Sequence, residues 1–279
     1  MIQNLTREQY DAVEALNASR LCLIDKSPRR FQRNDQKTSP AMAMGIIIHM
    51  AFLEPAKFKS KYVVMPEFWG LTQKGERTNS ANSKDVKAQR DAWLASQAPD
   101  AIIMTQDDFD ALSGILGSLT EEMNDPMSPL ASFMVGDKEC SIVRELRGRE
   151  CKGMLDIFIP NHPKYGRTII DVKKVGKEYG AHCDEFKREV FTRDYDAKAA
   201  WYLELAKADS FFWVVVEEKF PHAVAIYNAA EYLPIGVKKV DRWFEKLSQC
   251  ESTGVYPWYQ RGAADLYPSD WARREEESI

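Results

Sequence analysis

Near residue 135 the hydrophobic pattern of this chain changes period, and that change limits most strongly the folds open to it. Downstream, segments 140–146, 151–160 and 166–175 are short runs rich in Ile, Val and Phe, separated by the turn segments RGRE and NHPKYG. Apolar runs of this length between Gly, Pro and Asn signals predict an antiparallel meander. Upstream the spacing is helical. Residues 6–26 carry Val13, Leu16, Leu21 and Leu23 at near-helical intervals. Ser39 and Pro40 open a second helix that runs to Leu53, with serine as cap and proline in the first turn, and Pro55 ends it. Residues 56–83, with the polar run RTNSANSK, predict an irregular segment. Helices are expected at 84–97 and 107–124, the latter broken by Asp125–Pro126 and Ser128–Pro129. After the meander the pattern gives one long helix at 189–208, strands at 211–216 and 223–227, and a last helix at 231–249. The expectation is a single α/β domain over 1–279. In it a mainly helical part, 1–125, covers an α/β core at 139–260, and 261–279 form a tail.

Composition narrows the function classes. The chain has 279 residues, 44% hydrophobic and 29% charged, enough for a sizeable core. No apolar run approaches the roughly 18 residues of a membrane span, and the N-terminal segment lacks the basic-then-apolar pattern of a secretory signal. A cytoplasmic protein of a bacterial or phage-infected cell, with no membrane partner, is expected. Five scattered cysteines without a Cys-x-x-Cys pair argue against a disulfide framework, a zinc site or an iron–sulfur cluster, and predict reduced, mostly buried thiols. A net charge of −4 neither supports nor excludes a nucleic-acid partner, because DNA contacts need only a local basic surface. Basic residues do cluster, as in Lys26, Arg29, Arg30 and Arg33, or Lys173, Lys174 and Lys177.

The chemistry concentrates in the meander. Asp156 lies inside the apolar run Met154–Phe158, and Asp171-Val172-Lys173 ends the next run. Two carboxylates converging from neighbouring strands can grip Mg²⁺, which prefers oxygen ligands and keeps several waters. Asp171 and Lys173, two apart on a strand, share a face. The lysine then stands beside the metal, where it can orient an attacking water. An acid-x-Lys triplet alone is common: Asp35/Lys37, Asp85/Lys87, Glu185/Lys187, Asp196/Lys198 and Glu217/Lys219 also fit it. Only Asp171/Lys173 ends an apolar strand and follows a strand with another lone acid. Burying an unpaired charge is costly, so Asp156 either serves a site or is turned to solvent by strand alternation. His49 is the only ionisable residue in the apolar segment 41–53, with Gly45 one turn earlier on the same face. It is either a core histidine bonded to a carbonyl or a further metal ligand.

These segments together resemble a known family. GIIIH with LEP, KGMLD, IIDVKK, YDAKAAWY and CESTGVYPWY resemble, in order and spacing, the exonuclease domain of RecE (exodeoxyribonuclease VIII). That domain belongs to the PD-(D/E)XK superfamily, with lambda exonuclease and the RecB nuclease domain. NASRLCLIDKSPRRF is similar to the family's opening helix. The resemblance implies a restriction-endonuclease-like core, a mixed sheet flanked by helices. It implies His49, Asp156, Asp171 and the Val172 carbonyl as metal ligands and Lys173 as the catalytic lysine. Glu139, Lys198 and Tyr202 would act behind the ligands, and Ser19, Arg29, Arg30 and Lys174 would contact DNA. It further implies Mg²⁺, with Mn²⁺ as substitute, and a double-stranded DNA exonuclease working 5′ to 3′. That enzyme would leave 3′ single-stranded tails for recombination, act as a ring-shaped homo-oligomer, and serve a single-strand annealing protein. Two positions depart from the family. Lys198 replaces the glutamine of a helical glutamine–tyrosine motif, and Met154 stands two residues before the first aspartate, where arginine is usual. The alternatives are a structure-specific or restriction-like endonuclease on the same core, or a DNA-binding recombination module without catalysis.

Overall fold

Five of the six strands of the central sheet follow the change of pattern. The computed structural model describes residues 2–3, 5–33, 40–72, 74–259, 263 and 265–267, so Ser39 and most of the expected tail lie outside the described residues. Along the chain come β1 (Ile2–Gln3), α1 (Arg7–Ala12), α2 (Ala18–Lys26), α3 (Pro28–Arg33), α4 (Pro40–Leu53) and α5 (Pro55–Lys61). Next are β2 (Tyr62–Val64), β3 (Gly70–Leu71), β4 (Arg77–Thr78), α6 (Lys84–Ala95), β5 (Ile102–Met104), α7 (Gln106–Asn124) and α8 (Leu130–Phe133). The second half contains β6 (Asp137–Leu146), β7 (Arg149–His162), β8 (Gly166–Val175), α9 (Cys183–Thr192), α10 (Tyr195–Ala206), β9 (Ser210–Glu217), β10 (Val224–Asn228) and α11 (Leu233–Thr253).

The six-stranded sheet has the order β1-β6-β7-β8-β9-β10. The meander β6–β7–β8 is antiparallel, β8 and β9 are parallel, and β10 returns antiparallel. Parallel neighbours need a crossover, and α9 with α10 supplies it. The β6–β7 turn places Arg147 at φ 51° and Gly148 at φ 74°, the pair of positive angles that matches a two-residue turn to strand twist.

Helices cover both faces of the sheet, which explains the unbroken apolar run of β9. On one face Ile169, Phe211, Trp213 and Val215 pack with Leu21, Ile24, Trp201 and Trp243 from α2, α10 and α11. On the other, Ile170, Val172, Phe212 and Val214 pack with Ile48 of α4, Leu112 and Ile115 of α7, and Phe133 of α8. Each layer therefore joins residues from both halves of the sequence. All five cysteines are free, four of them buried. Among the described residues no helix is long and apolar enough to cross a membrane.

Three expectations are corrected. The helical stretch 6–26 breaks at 13–17, because Leu16 bridges to Cys151 and Asn17 restarts the helix by accepting the Arg20 N–H at 2.8 Å. Pro55 ends α4 but also starts α5, its fixed φ suiting a first helical turn. Strand β2 then pairs in parallel with β5 from Tyr62↔Ile102 to Val64↔Met104, a partner too distant in sequence for local pattern to reveal. The long helix expected at 189–208 is two helices, parted at Asp194, which adopts φ 54°. Buried charges hold that break: Lys239 Nζ lies 3.1 Å from Asp194 Oδ1 and 2.9 Å from Asp196 Oδ1, and Lys26 reaches Asp194 at 3.0 Å. Nearby, α10 and α11 cross so closely that a Cβ at Gly236 would come within 2.2 Å of the Asp196 carbonyl oxygen. Lys239→Met should leave two buried carboxylates with too little counter-charge and cost about 3–5 kcal/mol of stability. Urea unfolding measures this, and a loss under about 1 kcal/mol would mean the ammonium is not what holds the pair.

Candidate metal centre

The β7–β8 ladder pairs Ile159↔Thr168, Phe158↔Ile169 and Ile157↔Ile170, and there it stops. The next opposed residues in that register are Asp156 and Asp171. Instead of another rung, the Val172 N–H donates to Asp156 Oδ2 at 2.7 Å. The two strands part here, each kept in the sheet by its other neighbour, β6 for β7 and β9 for β8. Face alternation also slips at Asp156. Leu155 and Ile157 would share a face in a regular strand, yet they lie in opposite layers of the core.

Glu139 occupies the matching irregularity in β6. It falls between the pairs Lys138↔Ile157 and Cys140↔Leu155, opposite Asp156, with φ 49°. A left-handed conformation at a residue with a side chain costs about 1–2 kcal/mol, and strain of this kind is typical of functional positions. The fourth element is α4, which lays His49 over the parted strands. His49 Nε2 donates to the Val172 carbonyl at 2.9 Å, and Nδ1 lies 3.5 Å from Asp156 Oδ1. Among the described residues, His49, Glu139 and Asp156 each offer a ligand atom within 4.8 Å of the others.

The electrostatics follow from burying several charges together. Burial disfavours charge on His49, but the Asp156 carboxylate outweighs it and raises the imidazole to about 9. For Asp156 the penalty of burial is overcome by the His49 charge and hydrogen bond, by Lys173 and by the Val172 N–H, so its carboxyl is held below the ordinary value. Burial, with the Asp156 charge added, pushes Glu139 up to about 7. Asp171 is raised, first by burial. Lys173 resists its burial because Asp171 and Asp156 face it, and it rises to about 12. Its ammonium forms an ion pair with Asp171.

The expected residues are thus distributed unevenly. His49, Asp156 and the Val172 carbonyl meet at one point. Asp171 stands outside the three-residue group with Lys173. Glu139, expected behind the ligands, stands in the group itself; no sequence signal singled out its backbone angle. Tyr202 packs on Gly153, where a Cβ would come within 3.0 Å of its ring, and stacks on Phe211 at 6.4 Å. Lys198 projects from the same helix toward Tyr195. Lys174 points to the other layer and pairs with Glu218 at 2.5 Å, an environment that gives it little access to DNA. Ser19, Arg29 and Arg30 are exposed on α2 and α3. The one other group with metal-ligand spacing among the described residues is the consecutive run His182, Cys183 and Asp184 at the start of α9, where His182 Nδ1 accepts the Asp184 N–H as a helix cap.

A mixed sheet whose central strands part around Asp156, with Asp171-x-Lys173 on the neighbouring strand and helices on both faces, defines the PD-(D/E)XK nuclease-like class. Over residues 18–267 the chain matches the family described as PDDEXK-like domain of unknown function (DUF3799), and it belongs to that family. A candidate exonuclease from Eubacterium rectale shares the fold over 96% of this chain and 97% of its own, with a TM-score of 0.58 and 16% identity. A phage-related exonuclease from Haemophilus somnus 129PT covers 84% of this chain and 96% of its own, at 13% identity and a TM-score of 0.32. No curated protein matches the sequence. Nucleases of this class generally use divalent metals, and the His49, Glu139 and Asp156 group has the donor set for such an ion.

Proposed function

We propose that this protein is a Mg²⁺-dependent exonuclease of double-stranded DNA, and that its hydrolytic centre is the cleft where β7 and β8 part. The observation that carries the reading is the convergence there of His49, Glu139 and Asp156 with the Asp171–Lys173 pair. One imidazole and two carboxylates, with the Val172 carbonyl beside them, suit a hard cation with one borderline ligand. Bound there, Mg²⁺ or Mn²⁺ would polarise a phosphate oxygen and make water acidic enough to attack. The chain's own residues do the rest. Asp156 fixes the geometry, since one oxygen takes the Val172 N–H while the other faces His49. Asp171 anchors Lys173, whose ammonium orients the attacking water and offsets charge developing on the phosphate. α4 and α10 cover the cleft from its two sides.

The resemblance to RecE-type exonucleases supports the finer parts: 5′-to-3′ polarity, 3′ single-stranded products for recombination, a ring of identical subunits, and an annealing protein as partner in the cytoplasm. The deciding experiment compares end-labelled linear duplex with covalently closed circular DNA, with and without Mg²⁺. Linear DNA should be degraded only with Mg²⁺, label leaving first from the 5′ ends, while the circle persists. Cutting of the circle would replace this reading by an endonuclease, and binding without hydrolysis in any divalent metal would replace it by a DNA-binding module.

A further inference from the structure

Tyr195 is fixed by two separate sets of contacts. It is the first residue of α10, directly after Asp194, whose left-handed turn at φ 54° is pinned by Lys26 and Lys239. Its ring is tilted against Phe186, 6.2 Å between centroids. Phe186 is itself buried, stacked on Tyr227 at 5.4 Å and edge-on to Trp213 at 5.7 Å. Backbone and ring are thus both anchored in the core. Over the anchored ring lie two ammonium groups, Lys173 Nζ at 5.2 Å from the centroid and Lys198 Nζ at 5.4 Å. Lys198 is the weaker cation of the two, because burial and then the charge of Lys173 lower its pKa. Burial raises the Tyr195 phenol, which stays neutral and offers Lys173 a ring rather than an anion.

Attraction between a cation and an aromatic face follows the ring quadrupole and strengthens when the pair is shielded from water. The Lys173 side chain is only 18% exposed. Its ion pair with Asp171 holds the ammonium at one point, and a flexible four-carbon stem can still swing about a single carboxylate. A second contact, anchored independently of the first, removes that freedom. We propose that Tyr195 is the positioning residue for Lys173, its ring face holding the ammonium together with Asp171. The assignment rests on the nuclease reading and adds to it a side chain that acts through Lys173 alone. The ring's electrons do this, and they can be changed separately from its bulk and its hydroxyl.

The test is single-turnover cleavage of end-labelled linear duplex with Mg²⁺, on protein in which Tyr195 is replaced by phenylalanine or by trifluorophenylalanine. Thermal melting and duplex affinity in EDTA are measured on each. Fluorine draws electron density from the ring face and nearly preserves its shape, so packing on Phe186 survives and the attraction for a cation does not. Tyr195→Phe should cleave within about twofold of wild type, since it keeps the ring face. The fluorinated ring should lower the rate roughly tenfold, with melting temperature and duplex affinity unchanged. Should the trifluoro protein fail to fold, a monofluorinated ring carries the same comparison with a smaller loss. In a Lys173→Met background the two rings should give equal rates, because the ammonium they hold is gone. A difference that persists there would assign the ring to Lys198 and overturn the proposal. Equal rates with Lys173 in place, or a Tyr195→Phe rate as low as that of the fluorinated ring, would also overturn it while leaving the nuclease reading intact. Wild-type protein that cleaves no duplex overturns the nuclease reading itself, and this role with it.

Discussion

Asp156→Ala is expected to abolish the proposed Mg²⁺-dependent hydrolysis and to leave duplex binding close to wild type. Asp156 is the residue on which the centre depends most, because it touches every other part. It accepts the Val172 N–H, faces His49, lies opposite Glu139 and is felt by Lys173. Alanine would remove a proposed carboxylate ligand and the acceptor of the Val172 N–H, freeing the segment that presents the Val172 carbonyl. The loss of transition-state charge stabilisation is worth several kcal/mol, on the order of a thousandfold or more in rate. Binding draws mainly on phosphate contacts spread over the surface. Gel-shift titration beside single-turnover cleavage separates the two. Retained cleavage in Asp156→Ala would move the hydrolytic centre elsewhere, whereas joint loss of cleavage and binding would point to a damaged fold.

For Lys173→Ala the expected result is a kcat lower by roughly 10²–10³-fold, the range for removing one positioned donor that stabilises charge in the transition state, with the metal site still filling. An ammonium cannot ligate a cation, so its removal spares the donors His49, Glu139 and Asp156. Metal affinity should rise slightly, since one positive charge leaves the neighbourhood. Lys174→Ala is the internal control. Its side chain lies in the opposite layer against Glu218, which is partly exposed and readily solvated, so kcat should stay within a few-fold. Calorimetric titration with Mn²⁺ beside single-turnover rates distinguishes them. A dispensable Lys173 with an essential Lys174 would reverse the face of β8 that does the chemistry.

The sequence made the meander and its acidic pair legible because strand chemistry is local. Alternating apolar residues and turn signals lie within a few positions of each other, and β8 begins and ends at residues 166 and 175 as the pattern predicts. Other features depend on partners far away. The split of α9 from α10 turns on Lys239, more than forty residues downstream of Asp194. The pairing of β2 with β5 crosses a comparable gap. Glu139 is the instructive case at the site. It looks like an ordinary strand acid, and only a left-handed backbone angle, invisible in composition, turns it toward Asp156. His49 stands out as an oddity on an apolar helix; the sequence leaves open whether it is a core histidine bonded to a carbonyl or a metal ligand, and in the structure Nε2 meets the Val172 carbonyl while Nδ1 faces the Asp156 carboxylate.

Because α4 brings one donor from the first half while β6 and β7 bring two from the second, the centre has no single owner along the chain. The turn between α7 and α8 is solvent-facing, with Met127 89% exposed. A polypeptide divided there would give two pieces, one carrying His49 and the other Glu139, Asp156, Asp171 and Lys173. Neither half would possess the chemistry, and its return on mixing would report their reunion. The protein is, in that respect, a natural candidate for a complementation switch.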